Sequence, residues 1–323
     1  MLTNATDSEF EQEEDWQIEI QEVSTPAKTA DILKIHDFRY IEKVKTRVKF
    51  AEATEMFVKF DNDSTISAET WNAALLSTGA VIEACDKIMT GKYKNAFCAI
   101  RPPGHHAGVF GKTFKNNECD QEQSNGFCYI NNVAVAASYM MSNYRKDIKK
   151  VAIVDFDVHH GNGTQEIIEC MQKPKVFKEC PKDASVLFDN DPRSTTQYRP
   201  WLDEDDGKNV LFQSIHLHDR RFYPGTGGQN DEFVNDQVDN YFPGGIYNFP
   251  IVPGTATSWK WRKTFSDEIL PNILKFNPDV IFISAGFDAH EKDHIHSDTD
   301  TKITEFEYQW VTEQLNKVAN QCC

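Results

Sequence analysis

The sequence predicts a single three-layer α/β domain with a mainly parallel central sheet flanked by helices, and three observations carry that prediction. Four short apolar runs, at 96–100, 151–154, 210–215 and 280–284, show no polar alternation, the pattern of strands buried on both faces. Stretches with apolar residues at helical spacing lie among them, at 71–89, 132–144 and 265–276. The 323 residues, 40% hydrophobic and 12% aromatic, suffice to close one large core. Strands alternating with helices imply helices layered on both faces of a sheet.

Taken in order, residues 1–27 are acidic, poor in aliphatics and closed by Pro26, so they read as a loosely attached arm ahead of a domain at 28–323. Pro271 inside the 265–276 helix predicts a kink or boundary. Two stretches break the rhythm, 110–124 and 171–208, and both read as surface insertions.

The formal net charge of −16 opposes direct binding of a nucleic-acid backbone, which needs clustered Lys and Arg, and suits a basic protein partner such as a Lys-rich tail. No run of about 18 uncharged apolar residues is present, and the N-terminus carries Glu9, Glu11, Glu13, Glu14 and Asp15 in place of a signal sequence. An intracellular protein, in nucleus or cytoplasm and off the membrane, is therefore expected. The eight cysteines include no Cys-x-x-Cys pair, so free thiols are expected. A zinc cluster of Cys119, Cys128, Cys170 and Cys180 would need irregular spacings.

In a parallel sheet, ligands collect at the carboxyl ends of the strands, so the residues that follow each apolar run decide the chemistry. These are Arg101-Pro102-Pro103-Gly104-His105-His106, then Asp155-Phe156-Asp157-Val158-His159-His160-Gly161-Asn162-Gly163, then Ala285-Gly286-Phe287-Asp288. Asp157, His159 and Asp288 make a set of two carboxylates and one imidazole that leaves a position open for water and substrate on a hydrolytic Zn²⁺. An Asp-x-His pair alone recurs by chance; beside two further strand-end clusters it does not stand alone. His105 and His106 suit acid/base work, with Asp155 and Asn162 as orienting partners. An Asp partner favours the imidazolium whereas an Asn adds no charge, so the two histidines should differ in pKa.

These segments, together with Gly126-Phe127-Cys128-Tyr129 and Gly286-Phe287-Asp288-Ala289, resemble the signature segments of the zinc-dependent histone deacetylases, in that family's order. Asn162 and the Arg-Pro-Pro-Gly lead-in resemble the class II type. The resemblance implies an arginase/deacetylase fold, hydrolysis of acetyl-lysine in histones or other proteins, and Zn²⁺ on Asp157, His159 and Asp288. It implies that His106 is the main general base and acid, with His105, held by Asp155, tuning charge. It implies that Phe127, beside Gly126, and Tyr223 wall an acyl-lysine channel, and that Asp63 grips substrate backbone amides at the rim, with Asp61 the alternative alignment. Ser214 and Ile215 match positions whose backbone holds a structural K⁺ in the family. Co-regulator proteins would be further partners. Tyr223 stands where a Phe is expected.

The family continues past a segment like 305–319 into another strand and a Gly-rich loop bearing an oxyanion-binding Tyr or His. The sequence is therefore expected to lack its C-terminal portion, at a cost of about 10²- to 10³-fold in rate. Three alternatives stand beside the deacetylase: a binuclear Mn²⁺ ureohydrolase, which needs more strand-end carboxylates; a non-catalytic acetyl-lysine binder; and a polyamine deacetylase. Cys128 shows no partner cation that would make it a thiolate nucleophile. His290, His294 and His296 lie in a polar Asp-rich stretch and read as a solvated loop.

Overall fold

The computed structural model describes residues 18–22, 25–113, 125–171, 199–219, 221–228, 244–294 and 299–323. Helices α1 (Thr29–Ile35) and α2 (Phe38–Thr54) lead into a short antiparallel pair, β1 (Val58–Lys59) and β2 (Thr65–Ile66), and then the long α3 (Thr70–Met89) and α4 (Asn132–Asn143). The chain continues through β3 (Val151–Asp155), α5 (Asn162–Glu169), α6 (Asp206–Asn209), β4 (Val210–Leu217) and β5 (Gly245–Ile251). It ends with α7 (Ser258–Thr264), α8 (Leu270–Phe276), β6 (Val280–Ser284) and α9 (Glu305–Cys322).

Among the described residues, the central sheet runs β5-β4-β3-β6 and every neighbouring pair is parallel. Asp155 pairs in register with Ser214 on one side and Ser284 on the other, so β3 and β6 end on one row while β4 runs on to Leu217. Side chains alternate across a strand, and this divides the core. Val151, Ile153, Val210 and Phe212 pack with α1 to α5, whereas Ala152, Val154, Leu211 and Ile215 pack with Trp261, Phe265, Ile273, Val311 and Leu315 of the opposite helical layer. Each such side chain contributes roughly 1.5–3 kcal/mol when fully buried. Among the polar residues buried in these strands, Gln213 is wholly buried in β4; its amide donates to the Ile269 carbonyl and accepts from Asn272, which ties the strand to α8.

Two strand assignments change. Residues 96–100 form no strand: the run is apolar enough, but a strand also needs a neighbour for its backbone, and none of the described residues pairs with it. It passes along α3, Cys98 Sγ reaching the Ala80 carbonyl at 3.8 Å, with Phe97 74% exposed. Conversely, β5 escapes the apolar-run criterion because Pro250 interrupts it and its burial alternates; a strand at the sheet edge tolerates both. The kink expected at Pro271 takes the form of a π-helical stretch, Phe265–Ile269, just before it.

Of the acidic arm, 18–22 and 25–27 are described. Ala27 is buried and its amide donates to the Leu75 carbonyl, while Glu19 pairs with Lys92 and Gln21 accepts from Lys87. The central parts of both expected insertions, 114–124 and 172–198, fall outside the described residues. Their described ends are buried at Gly111 and Thr113, and at Trp201 and Asp206.

Candidate active site

Asp157 and His159 follow β3, and Asp288 follows β6, its direct neighbour in the sheet. The turn after β3 winds around the carboxylates: the Asp157 amide donates to Asp155 Oδ1 (3.1 Å), the Val158 amide to Asp288 Oδ1 (3.1 Å) and the His159 amide to Asp157 Oδ1 (2.8 Å). His159 Nδ1 lies 2.9 Å from Asp157 Oδ1 and 3.0 Å from Asp288 Oδ2. One ligand atom from each of the three residues falls within 4.8 Å of the others, the one such group among the described residues. Close approach is secured by Gly286, where a Cβ would lie 1.9 Å from Asp157 Oδ2.

Burial opposes charge on His159, but its bonds to Asp157 and Asp288 prevail and push its pKa up to about 10. Burial likewise opposes ionisation of Asp157, yet the imidazoles of His105 and His159 hold it well below the usual carboxylate range. A proton on Nδ1 thus sits between two carboxylates, and a divalent cation could take its place. The donor set, two oxygens and one nitrogen, fits such a cation and leaves coordination positions for water and substrate.

His105 and His106 lie beside this group, with ring centroids 3.9 Å apart. His105 Nδ1 donates to Asp155 Oδ2 (2.9 Å), and its Nε2 is 3.7 Å from Asp157 Oδ2. His106 Nδ1 donates to Asn162 Oδ1 (2.7 Å). The orientation of the Asn162 amide is fixed from behind, because its Nδ2 donates to Thr113 Oγ1 (2.6 Å). The consequence for charge is sharp. Burial disfavours an imidazolium at His105, but Asp155 and Asp157 outweigh it and raise the pKa to about 9. His106 is lowered well below the ordinary histidine value by burial and by the charge of its neighbour. At neutral pH, one ring of the pair is charged and the other carries a lone pair on Nε2.

Tyr223 meets His106 edge-on at 5.0 Å and His159 at 5.8 Å. From another side Gly126 covers His106, where a Cβ would lie 2.2 Å from Cδ2; the next residue, Phe127, is half-exposed with φ of 66°. Of the two alternative rim acids, Asp63 is exposed and Asp61 only 4% exposed, its carboxylate taken up by backbone amides. Ser214 is fully buried on the Asp155 row with its hydroxyl on His216 Nδ1, and Ile215 follows it in β4. Cys128 is buried and its thiol is pushed far up by that burial. His290 pairs with Glu305, and Cys119, Cys180 and His296 lie outside the described residues.

The histone deacetylase domain profile matches residues 3–323. The chain belongs to the histone deacetylase family. It is 32% identical over 317 residues to the type-2 histone deacetylase 2 of Dictyostelium discoideum, covering 90% of this chain and 16% of that one. It is 30% identical over 275 residues to the histone deacetylase clr3 of Schizosaccharomyces pombe, covering 84% and 33%. The crystal structure of an HDA15 HD domain superposes with a TM-score of 0.67 at 29% identity, covering 94% of this chain and 67% of that one. The chain thus spans about a sixth to about a third of these two relatives' length. The fold matches the arginase/deacetylase reading, and the type-2 relative fits the class II character inferred from Asn162.

Sequence reasoning missed the groups that hold this site from behind. Buried His36 donates from Nδ1 to the Gly108 carbonyl and accepts the Asn131 amide at Nε2, and burial pushes its pKa down to about 4. Asn131 caps α4 and donates to the Ala107 carbonyl, fixing the backbone next to His106. His160, His216 and His218 bond the Thr226–Gly227 backbone and hydroxyl just beyond Tyr223. Phe222 stacks on His159 at 5.3 Å and 15°. A lone His or Asn carries no sequence signal of this kind; the one local signal for Phe222 is its adjacency to Tyr223.

Proposed function

We propose that this domain hydrolyses the acetyl amide of acetyl-lysine in histones or other basic protein tails, with Zn²⁺ as its metal. The observation that carries the reading is the pairing of two imidazoles, one held by the Asp155 carboxylate and the other by the Asn162 amide, beside a three-donor metal group. Held by Asp157, His159 and Asp288, Zn²⁺ would supply Lewis acidity toward the acetyl carbonyl and toward water.

The rest falls to the chain's own residues. Asn162 keeps the His106 proton on Nδ1, so Nε2 faces the site as the base that takes a proton from the attacking water. The same nitrogen then returns that proton to the departing lysine amine. His105, held as imidazolium by Asp155, places positive charge where negative charge develops on the acetyl oxygen. Phe127 and Tyr223 bracket the lysine methylenes, Gly126 offers its carbonyl to the amide N–H, and Asp63 accepts the backbone amides of the substrate. Zinc bound here leaves the Cys128 thiol without a part in the chemistry.

Secondary assignments follow from the same reading. K⁺ would be bound through the backbone carbonyls of Ser214 and Ile215, because the Ser214 hydroxyl is already engaged by His216. The deacetylase domain would comprise 28–323, with 1–27 an acidic appendage and surface insertions within 110–124 and 171–208. The net charge of −16 supports basic tails over nucleic acid, and no helix among the described residues is long and apolar enough to cross a membrane. Co-regulator proteins and a nuclear or cytoplasmic setting belong to the same proposal.

The test is acetate release from an acetyl-lysine peptide by the zinc-loaded chain, beside a trifluoroacetyl-lysine peptide. Turnover of both, lowered about 10³-fold by His106→Ala, is expected. Turnover of the trifluoroacetyl peptide alone would point to weak stabilisation of the oxyanion, and turnover of neither would overturn the hydrolase reading.

A further inference from the structure

Two loops at the outer edge of the site are joined by buried groups to which the mechanism above gives no part. Residues 125–127 make a turn whose backbone is unfavourable by itself at Phe127, a non-glycine residue with φ of 66° that follows Gly126 at 52°. A non-glycine residue persists there only when its surroundings hold it. Those surroundings are the 61–64 loop. The Asn125 amide donates to Asp61 Oδ2 at 2.9 Å, and the Phe127 amide donates to Ser64 Oγ at 3.1 Å.

The same two side chains also shape their own loop. Asp61 Oδ1 accepts the amides of Ser64 (2.8 Å) and Asp63 (3.2 Å), and the Ser64 hydroxyl donates to Asp63 Oδ1 at 3.2 Å. Asp61 and Ser64 are 4% and 1% exposed, so water competes poorly for either. A hydroxyl has one proton to give, and here it goes to Asp63 while the oxygen's lone pair takes the Phe127 amide. The chain of bonds therefore runs from Asp63 through Ser64 to the backbone of Phe127, with Asp61 closing the loop behind it.

We propose that Asp61 and Ser64 are positioning residues that lock the Phe127 turn and the Asp63 carboxylate into one unit, fixing the spacing between channel wall and rim acceptor. The proposal rests on the acetyl-lysine reading for what the unit grips. An extended peptide carrying an acyl-lysine has a set distance between its side-chain stem and its backbone amides, and a fixed spacing favours that ligand over a free acylated amine. Loss of the link should weaken binding of the peptide far more than it slows the chemistry.

The experiment compares the full chain with Ser64→Ala and Asp61→Asn, the latter leaving one oxygen for bonds that now use two. Hydrogen exchange reads the amides of Asn125 and Phe127, and steady-state kinetics read an acetyl-lysine peptide. Ser64→Ala should speed Phe127 exchange and raise KM about tenfold, with kcat within about twofold, as expected for one lost buried bond in a binding element. Asp61→Asn should speed exchange at Asn125 or in the 63–64 backbone, with the same KM-weighted loss. Unchanged exchange, or faster exchange with unchanged KM, overturns the proposal. Should the wild-type chain bind the peptide without hydrolysing it, its Kd replaces KM: the deacetylase reading then fails, and only a weakened Kd in both variants sustains the positioning role.

Discussion

The site has two sides made by different means. The proposed metal side stands on the central sheet: Asp155 is paired in register with Ser214 and Ser284, so a rigid parallel sheet fixes where Asp157 and Asp288 emerge. The proposed substrate side stands on loops: Asp63, Gly126, Phe127 and Tyr223 come from turns whose shape depends on single side-chain bonds such as those of Asp61 and Ser64. A change on the first side should therefore remove chemistry, and a change on the second should alter affinity.

The largest effect sharpens that contrast. Asp157→Ala or Asp288→Ala deletes a proposed metal ligand, and loss of several kcal/mol of Lewis-acid stabilisation should lower kcat/KM by about 10⁴-fold, measured with metal content in parallel. His106→Ala comes next, removing the proposed base but leaving the metal group intact; kcat should fall by about 10³-fold with zinc content unchanged.

Asn162→Asp probes the charge asymmetry within the histidine pair. His106 is lowered by burial and by His105, so it stays neutral down to acid pH in the wild type. A carboxylate at position 162 would stabilise its protonated form and raise its pKa. Because the base must be unprotonated, the acid limb of the kcat/KM profile should move up by about one pH unit or more. A profile that does not move would mean that His106 is not the base. Tyr223→Phe should be mildest, within about threefold, because the contact with His106 is made by the ring edge and a Phe retains it.

How much of this was legible in the sequence follows the same division. Strands β3 and β4 were readable because burial on both faces favours apolar residues at successive positions, and β6 because its run 280–283 is apolar although the strand is only partly buried. The motifs at 105–106, 155–162 and 286–288 were readable because rare chemistry-bearing residues clustered right after such runs. The strand expected at 96–100 failed because apolar composition specifies burial, and a strand needs a partner's backbone as well. The edge strand β5 was hidden by Pro250 and its alternating burial. Asp61 and Asp63 could not be separated by sequence, since which of two nearby acids turns inward depends on the distant Asn125 amide. His36 and Asn131 were invisible for the same reason: their roles are long-range bonds between groups with no local signature.

The central claim is that Asp157, His159 and Asp288 together hold one divalent cation, and a zinc titration of the metal-stripped chain followed by calorimetry in buffers of different ionisation enthalpy tests it. With His159 held at about 10, the imidazole must lose its proton to bind metal, so at pH 7.5 the account predicts one zinc per chain, about one proton released, and affinity rising about tenfold per pH unit. His159→Ala and Asp288→Ala should both abolish this binding. Zinc bound without proton release, and with equal affinity in those variants, would contradict it.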